Sequence, residues 1–184
     1  MPTRELRLET PRLLLRPLGM QDFDAFAAFH ADPEAMRFLG GVQPREVAWR
    51  TFMLMAGAWH LQGISMFSLI ERATGRWVGR AGPWMPEGWP GPEVGWGVVR
   101  DCQGKGYATE AAVAAIDWAF DALGWTEVIH SISPGNIASQ AVAEKLGSRN
   151  RGPGRLPPPL AEVPIEIWAQ TRDEWRQRRA AAAS

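Results

Sequence analysis

The sequence predicts one α/β domain over residues 1–184, with a mixed, mostly antiparallel sheet and helices on both faces. First, the predicted elements run β, α, α, β, β, β, α, β, α, β, α, so strands joined by short connections precede alternating helices and strands. Second, 46% of the 184 residues are hydrophobic, which suits one substantial core. Third, no internal repeat and no linker between two cores divides the chain.

The N-terminal half is predicted to hold one strand and two helices. The strand covers residues 12–18 and is ended by Pro17. The first helix begins near Asp22, carries phenylalanines at three-residue spacing and ends before Pro33. The second helix covers residues 44–63, with a proline in its first turn and a glycine at its end.

A hairpin, a loop and a glycine-containing strand are predicted next. The hairpin joins strands at residues 64–71 and 76–82. Residues 83–93 contain four prolines, a density that predicts a loop. Within the following strand, residues 93–100, two glycines indicate either a bulge or the close approach of another backbone: Gly95 and Gly97.

The C-terminal half alternates helices and strands. Its first helix is rich in alanine and poor in charge, which indicates burial. The next helix has Asn136 as its N-cap and Gly147 as its stop. The predicted elements are a helix at 106–124, a strand at 126–133, a helix at 136–147, a proline-broken loop at 149–160, a strand at 163–170, and a polar helix or tail from 171, with the polar tail from about 176.

Charge and hydropathy argue against several classes of partner. Twenty basic residues balance twenty acidic ones, so no global field attracts nucleic acid or an anionic membrane. No apolar run approaches the ~20 residues that span a bilayer, and the polar N-terminus lacks the apolar core of a secretory signal. We therefore expect a cytoplasmic protein that binds neither nucleic acid nor membrane.

Three scarce or abundant residue types narrow the chemistry further. The single cysteine, Cys102, excludes an intramolecular disulfide. The three histidines have no metal-ligand spacing, so no metal is expected. Ten tryptophans either pack in the core or, in three cases, line a binding cleft or an interface: Trp84, Trp89 and Trp96.

The segment "VVRDCQGKGYATEAA" places a glycine turn between a predicted strand and a predicted helix. The first N–H groups of a helix have no intrahelical acceptor, and the helix dipole adds partial positive charge, so this point attracts anions. Gly104 and Gly106 would let an anion approach the backbone, and Lys105 would supply a mobile charge.

Four interpretations of this turn compete. It does not match the Walker phosphate loop, and Thr109 stands where a dinucleotide fingerprint needs its third glycine. A purely structural turn is the third interpretation. The fourth is the acyl-CoA pyrophosphate loop [QR]-x-x-G-x-[GA], which Gln103, Gly106 and Ala108 fill.

Other segments support the fourth interpretation. "NIASQAVAEKLG", thirty residues past the turn, resembles the second signature of the GNAT acetyltransferases. "LETPRLLLRPLGMQDFDAFAAFHADPEAMRFLG", "EVGWGV" and "GKGYATEA" resemble the RimJ/RimL-type branch of that superfamily. The resemblance covers nearly the whole chain and is weakest at residues 83–92 and 149–164.

The resemblance implies a GNAT-like sheet that is splayed between the fourth and fifth predicted strands, residues 93–100 and 126–133. The pantetheine arm of acetyl-CoA would lie in that gap. The implied contacts are backbone groups of Val98 and Val99 with pantetheine, amides of Gln103, Gly104, Lys105, Gly106, Tyr107 and Ala108 with pyrophosphate, and side chains of Asn136 and Ser139 with pantetheine. On its residues alone, Asn136 is equally explained as a helix cap.

The resemblance also implies transfer of an acetyl group to an amine that must first lose a proton. Glu93 is the leading candidate base, against the simpler interpretation of a solvated charge at a strand end. Three carboxylates are weaker candidates: Asp32, Glu162 and Glu166. Many family members use a tyrosine as the acid, but Ala143 stands at that position, so Ser139 is the candidate acid or water-ordering group.

The function predicted from this resemblance is that of an acetyl-CoA-dependent N-acetyltransferase acting on a primary amine by direct attack. The acceptor is either a protein N-terminal amine or a small-molecule amine, and a homodimer is left open. One alternative is an acyl-CoA-binding module with little turnover, and another is a nicotinamide-dependent oxidoreductase. Specificity is expected in the loops that are rich in tryptophan and proline, including "GRLPPP" near the acceptor mouth.

Overall fold

The computed structural model describes residues 6–182, which form one eight-stranded sheet and six α-helices. The strands are β1 (Leu8–Glu9), β2 (Leu13–Arg16), β3 (Phe67–Glu71), β4 (Trp77–Trp84), β5 (Glu93–Val98), β6 (Glu127–Ile132), β7 (Arg149–Gly154) and β8 (Ile165–Thr171). The helices are α1 (Phe23–Ala31), α2 (Pro33–Met36), α3 (Arg45–Leu61), α4 (Tyr107–Asp121), α5 (Ile137–Leu146) and α6 (Arg172–Ala182). Residues 1–5 and 183–184 lie outside the described residues. The first range is the start of the N-terminus predicted to lack a secretory signal, and the second is the end of the predicted polar tail.

The sheet has the order β1-β2-β3-β4-β5-β6-β8-β7 and is antiparallel except between β5 and β6. One apolar cluster packs α1 and α3 on one face, and others pack α4 and α5 on the opposite face. This arrangement confirms the predicted mixed sheet with helices on both faces. Nothing helical between residues 6 and 182 combines the length and the apolar character that a bilayer crossing requires.

The sheet splays between β5 and β6. The β4–β5 pair is continuous from Gly79↔Val98 to Trp84↔Glu93, whereas β5 and β6 pair only at Glu93↔Ile129. The two central strands therefore meet at the start of β5 and separate toward its end, as predicted from the sequence resemblance.

The predicted bulge at the glycines of β5 is wrong. The β4–β5 register does not shift, whereas the β3–β4 register does: Leu69 pairs with Gly79 and Ile70 with Trp77, so Val78 of β4 is the unpaired residue. The glycines of β5 instead make room for side chains above the sheet. A Cβ atom on Gly95 would lie 2.7 Å from Met66 Cε, and one on Gly97 would lie 2.9 Å from the ring of Phe29.

The prediction of a loop at the start of residues 149–160 is also wrong, because Arg149–Gly154 is strand β7. Its register against β8 shifts between Asn150 and Pro153, and β7 is the outermost strand of the sheet. A proline lacks the N–H that a central strand needs, but an edge strand with a bulge accommodates it. The prolines that follow lie outside regular structure, as predicted.

The helix ends follow the local signals. Asp32 caps α2 by accepting from Glu34 N at 2.9 Å and from Ala35 N at 3.2 Å. At the start of α6, Thr171 N donates to the Glu174 carboxylate at 2.8 Å, and Glu174 N donates to Thr171 Oγ1 at 3.2 Å, which together form a capping box. The predicted polar helix or tail is thus a helix as far as Ala182.

Candidate active site

Two connected cavities lie at the splay between β5 and β6. The inner pocket is a cavity of about 200 Å³ enclosed by the end of β4, the start of β5, β6 and the two proline-rich loops. The outer groove is a cavity of about 450 Å³ along the glycine turn and the starts of α4 and α5. Both cavities are bordered by the same five residues: Phe38, Leu39, Trp96, Asn136 and Ser139. The groove and the pocket therefore adjoin each other along these side chains.

The glycine turn opens the start of α4 to the outer groove. Gly104 and Gly106 have φ angles of +72° and +82°, a left-handed conformation that glycine adopts without strain. No side chain caps α4, so its first N–H groups stay available to a ligand. Five of the six predicted turn residues line the groove: Gln103, Gly104, Gly106, Tyr107 and Ala108.

The turn is held from below by Arg12. Its guanidinium donates to the Lys105 carbonyl at 2.8 Å, pairs with Glu110 at 2.6 Å and lies 4.5 Å from the centre of the Tyr107 ring. The Tyr107 hydroxyl donates to Glu71 at 2.5 Å, which points the side chain into the protein and leaves only the backbone for the groove. Lys105 is the one turn residue of the predicted set that does not line the groove.

Only one of the two predicted valines turns its backbone toward the splay. Val99 N donates to Val78 O at 3.0 Å, and Val99 O accepts from Cys102 N at 2.9 Å, so the pantetheine contact predicted for Val99 is not available there. Because backbone groups alternate in direction along a strand, Val98 faces the gap instead. Gln103 Nε2 donates to Val98 O at 3.3 Å and links this strand end to the turn.

The start of α5 lies across the gap from β5. The Asn136 side chain accepts from Ser139 N at 3.1 Å, which is the predicted helix cap. Trp96 Nε1 donates to Ser139 Oγ at 3.3 Å. Since the cap uses only the amide oxygen, capping leaves the amide nitrogen of Asn136 for a ligand. Asn136 and Ser139 border both cavities, which is the position that the family resemblance implies for them.

Glu93 is a buried acid in the wall of the inner pocket, with 7% of its surface exposed. Burial removes the carboxylate from water and raises the pKa of Glu93; hydrogen bonding by Trp89 and Ser131 and the positive charge of Arg80 oppose this rise. Trp89 Nε1 donates to its carboxylate at 2.5 Å. Glu93 is therefore not the solvated strand-end charge of the simpler interpretation.

The three weaker base candidates lie outside the inner pocket. Asp32 is the N-cap of α2. Glu162 is 95% exposed and lies 4.0 Å from Arg155, and Glu166 accepts from Asn150 Nδ2 at 2.8 Å. Of the four predicted carboxylates, only Glu93 can meet a molecule in the pocket.

The tryptophans predicted to line a cleft do so. Trp84, Trp89 and Trp96 all border the inner pocket, and the first two rings meet edge to face with centroids 6.4 Å apart. The opposite wall comes from the segment that holds the "GRLPPP" loop and from the start of β8: Leu156, Leu160, Val163 and Ile165. The two proline-rich segments thus enclose the pocket.

Two buried polar residues of the pocket were not identified from the sequence: Arg80 and His130. His130 Nδ1 bonds to Val94 O at 2.7 Å and its Nε2 to Ser148 Oγ at 3.0 Å, so the ring bridges β5 and β6. Burial lowers the pKa of His130 to about 4 and keeps the ring neutral. The available signals were the single charged residue inside the apolar strand "WVGRAG" and the histidine in the middle of the strand "TEVIHSIS".

Within residues 6–182, no group of three or more His, Cys, Asp or Glu side chains is placed to hold a metal ion. Cys102 is buried, and its sulfur accepts from Arg76 Nη2 at 2.8 Å. The polar groups that face the pocket are therefore a carboxylate, a guanidinium, an imidazole and hydroxyls.

Comparison with known proteins identifies the family that has this splayed sheet. Residues 12–149 match the family model of an acetyltransferase (GNAT) domain. The chain belongs to the GNAT acetyltransferase family. This confirms the family resemblance found in the sequence, and it makes the protein an enzyme of the N-acetyltransferase class. The nicotinamide-dependent oxidoreductase is excluded as an alternative.

Individual relatives agree with this assignment. An acetyltransferase of Agrobacterium tumefaciens is 33% identical, with a TM-score of 0.79 over 91% of this GNAT chain and 95% of its own. The uncharacterized N-acetyltransferase p20 of Bacillus licheniformis is 28% identical over 148 residues, which are 79% of this chain and 83% of its own. A ribosomal-protein-serine acetyltransferase assigned in Vibrio cholerae shares the fold at 20% identity, with a TM-score of 0.75 over 92% of this chain and 99% of its own.

Proposed function

We propose that this GNAT enzyme transfers the acetyl group of acetyl-CoA directly to a primary amine. One observation carries the proposal: a buried carboxylate, Glu93, lies in a pocket that opens into the groove at the uncapped start of α4. The groove suits the donor and the pocket suits the acceptor. Because the two cavities share five lining residues, the donor and the acceptor would lie next to each other.

The groove offers contacts for each part of acetyl-CoA. Amides from Gly104 to Ala108 would bind the pyrophosphate, since they lie at the positive end of the α4 dipole. The gap edge at Val98 would bind the pantetheine arm, together with the side-chain amide of Asn136. Lys105 would contribute only long-range positive charge, because its side chain lies outside the groove lining.

Acetyl transfer requires a neutral amine, because an ammonium group has no lone pair. The Glu93 carboxylate would accept the amine proton, directly or through water. The nitrogen then attacks the thioester carbonyl, the C–N bond forms, the C–S bond breaks and CoA leaves as the thiolate. A thiol pKa of about 8.5 makes that thiolate a fair leaving group, so the weak acid Ser139 would suffice to order water or donate a hydrogen bond.

A direct attack is favoured over a covalent enzyme intermediate. The single cysteine of the sequence is buried, and its sulfur already contacts Arg76. A reactive thiol needs access to the substrate and a stabilised thiolate. Cys102 borders the outer groove but is 2% exposed and does not line the inner pocket that holds Glu93, so it is poorly placed as a nucleophile in this reaction.

A second candidate function is an acyl-CoA-binding module with little turnover. The position where many family members carry an acidic tyrosine is Ala143, which is fully buried against Ile132 and Trp168. No proton donor can act from there. This favours slow release of the thiolate, although it does not affect binding of the donor.

Release of CoA thiol from acetyl-CoA, measured over a panel of amines, separates the two functions. The acetyltransferase predicts amine-dependent thiol release, and Glu93→Gln should lower kcat about 10²- to 10⁴-fold while the KM for acetyl-CoA stays nearly constant. Glu162→Gln, at the exposed carboxylate, is the matched control and should retain activity. Tight binding of acetyl-CoA without thiol release from any amine would instead support the binding module.

A further inference from the structure

Arg80 is a buried cation in the same pocket as Glu93, and the negative charge of Glu93 only partly offsets the cost of its burial. Its side chain is 8% exposed, its Nη1 contacts the sulfur of Met66 at 2.5 Å, and its Nε has no hydrogen-bond partner. It forms no ion pair with any residue that the structure describes. Burial lowers the pKa of Arg80 to about 10, so the guanidinium remains charged at neutral pH. A buried charge without a salt bridge destabilises the empty pocket, and a bound anion would offset that cost.

The sheet between Arg80 and Glu93 carries no side chains. In the β4–β5 register Arg80 lies opposite Gly97, Gly82 opposite Gly95, and Trp84 opposite Glu93, all on one face. The Glu93 carboxylate leans over this bare stretch, because a Cβ atom on Gly95 would lie 3.3 Å from Glu93 Oε1. The two opposite charges thus face one cavity, and the Met66 side chain packs over the glycine stretch between them.

A third polar group faces the same space. Ser131 borders the inner pocket, and its buried hydroxyl has no hydrogen-bond partner other than the nearby Glu93 carboxylate. The rest of the lining has apolar walls, with tryptophans on one side and Leu156, Leu160 and Ile165 on the other, and four further polar side chains: His130, Ser133, Asn136 and Ser139. A ligand that satisfies this pocket therefore carries an amine, an anionic oxygen group and an apolar body.

We propose that the acceptor is a free α-amino acid with an apolar side chain, whose amine meets Glu93 and whose carboxylate binds Arg80. The proposal rests on the acetyl transfer proposed above and narrows its acceptor. A guanidinium binds a carboxylate through two parallel hydrogen bonds, which places the amine in a defined direction. The cavity of about 200 Å³ lies below the ~300–1,000 Å³ of pockets for drug-sized ligands, which also favours a small acceptor.

A protein N-terminus fits this pocket less well. Its first residue has a neutral amide where a free amino acid has a carboxylate, so it would leave the Arg80 charge uncompensated. The rest of the peptide would also need an exit from a small pocket enclosed by two loops. Acetylation of peptides is therefore the competing outcome of the test.

The test compares leucine with leucinamide, which differ only in the carboxylate. We expect the wild-type kcat/KM to favour leucine by about tenfold or more, because the amide leaves a buried charge without its partner. Arg80→Met should abolish this preference, and Arg80→Lys should retain part of it. Arg72→Met, which removes an exposed arginine far from both cavities, should keep the preference at the wild-type level.

A preference for leucinamide or for a leucine-initiated dipeptide would overturn the proposal, as would a leucine preference that survives Arg80→Met. If Arg80→Met does not fold, the wild-type comparison and Arg80→Lys still decide. Calorimetric titration of leucine into the CoA-bound protein separates this proposal from the proposed reaction. Arg80-dependent binding of leucine without thiol release would refute the proposed acetyl transfer but not the leucine site. Acetylation of other amines without leucine binding would refute the amino-acid acceptor but not the acetyl transfer.

Discussion

The indole N–H of Trp89 donates to the Glu93 carboxylate at 2.5 Å, which joins the proline-rich loop to the buried acid of the pocket. The loop thereby both encloses the pocket and sets the charge state of its acid. This hydrogen bond lowers the pKa of Glu93 against the larger rise caused by burial. Loop and acid are thus energetically coupled.

Replacing Trp89 tests that coupling. Trp89→Phe keeps an aromatic wall but removes the N–H donor, so the pKa of Glu93 should rise further and the acid limb of the pH profile of kcat/KM should move to higher pH. Trp84→Phe, in the same wall, is the control and should leave the position of the acid limb unchanged. An identical acid limb in Trp89→Phe and the wild type would contradict the coupling.

Glu93 should also reduce stability at neutral pH. Burial raises the pKa of Glu93 in the folded state, so folding favours the protonated form. Stability from this group is therefore complete below the unfolded pKa of about 4.3 and is lost as the pH rises through the folded pKa. Glu93→Gln should have a higher free energy of unfolding than the wild type at pH 8, and the gain should vanish near pH 4. Urea denaturation at both values measures this; an equal gain at both would refute the charge argument.

His130 should make the fold sensitive to acid. Burial lowers the pKa of His130 from 6.5 to about 4, so its stabilising contribution is present above pH 6.5 and is lost as the pH falls toward 4. That contribution is about 3 kcal/mol. His30 has the same lowered pKa, about 4, and adds a similar loss.

The variant His130→Gln separates the two histidines. Between pH 7 and pH 4.5, the unfolding free energy of this variant should fall by about half as much as that of the wild type, because His30 still titrates. For the control His60→Gln, at an exposed helix residue, the unfolding free energy should fall by as much as that of the wild type. If the unfolding free energy of His130→Gln fell by as much as that of the wild type, His130 would not titrate in this range.

The glycines of β5 should be required for packing. In Gly97→Ala the new methyl group would lie 2.9 Å from Phe29 Cζ and 3.2 Å from Leu39 Cδ1, and we expect a destabilisation of about 1–3 kcal/mol. Gly57→Ala is the matched control, because its methyl group meets no atom within 4 Å inside helix α3. That variant should be stabilised by roughly 0.5–1 kcal/mol. Equal melting temperatures for the two variants would refute this explanation of Gly97.

Much of the fold could be predicted because its signals are local. The cap at Asn136, the capping box at Thr171 and the left-handed turn at Gly106 each depend on residues within a few positions of one another. The missed strand β7 depends on a distant partner instead. Its prolines and glycines favour a loop locally, and only the exposed edge of β8 makes them acceptable as a strand.

The sequence alone determined where the turn, the helix starts and the family motifs lie, because φ preferences and capping hydrogen bonds act between near neighbours. Tertiary structure decided which of four candidate carboxylates is buried, that Val98 and not Val99 faces the gap, and that Arg80 lies in the same pocket as Glu93 without a salt bridge to it. Those outcomes depend on strand register and on side chains distant in sequence. Burial and charge pairing arise from such long-range packing, so they became visible only when the sheet was assembled.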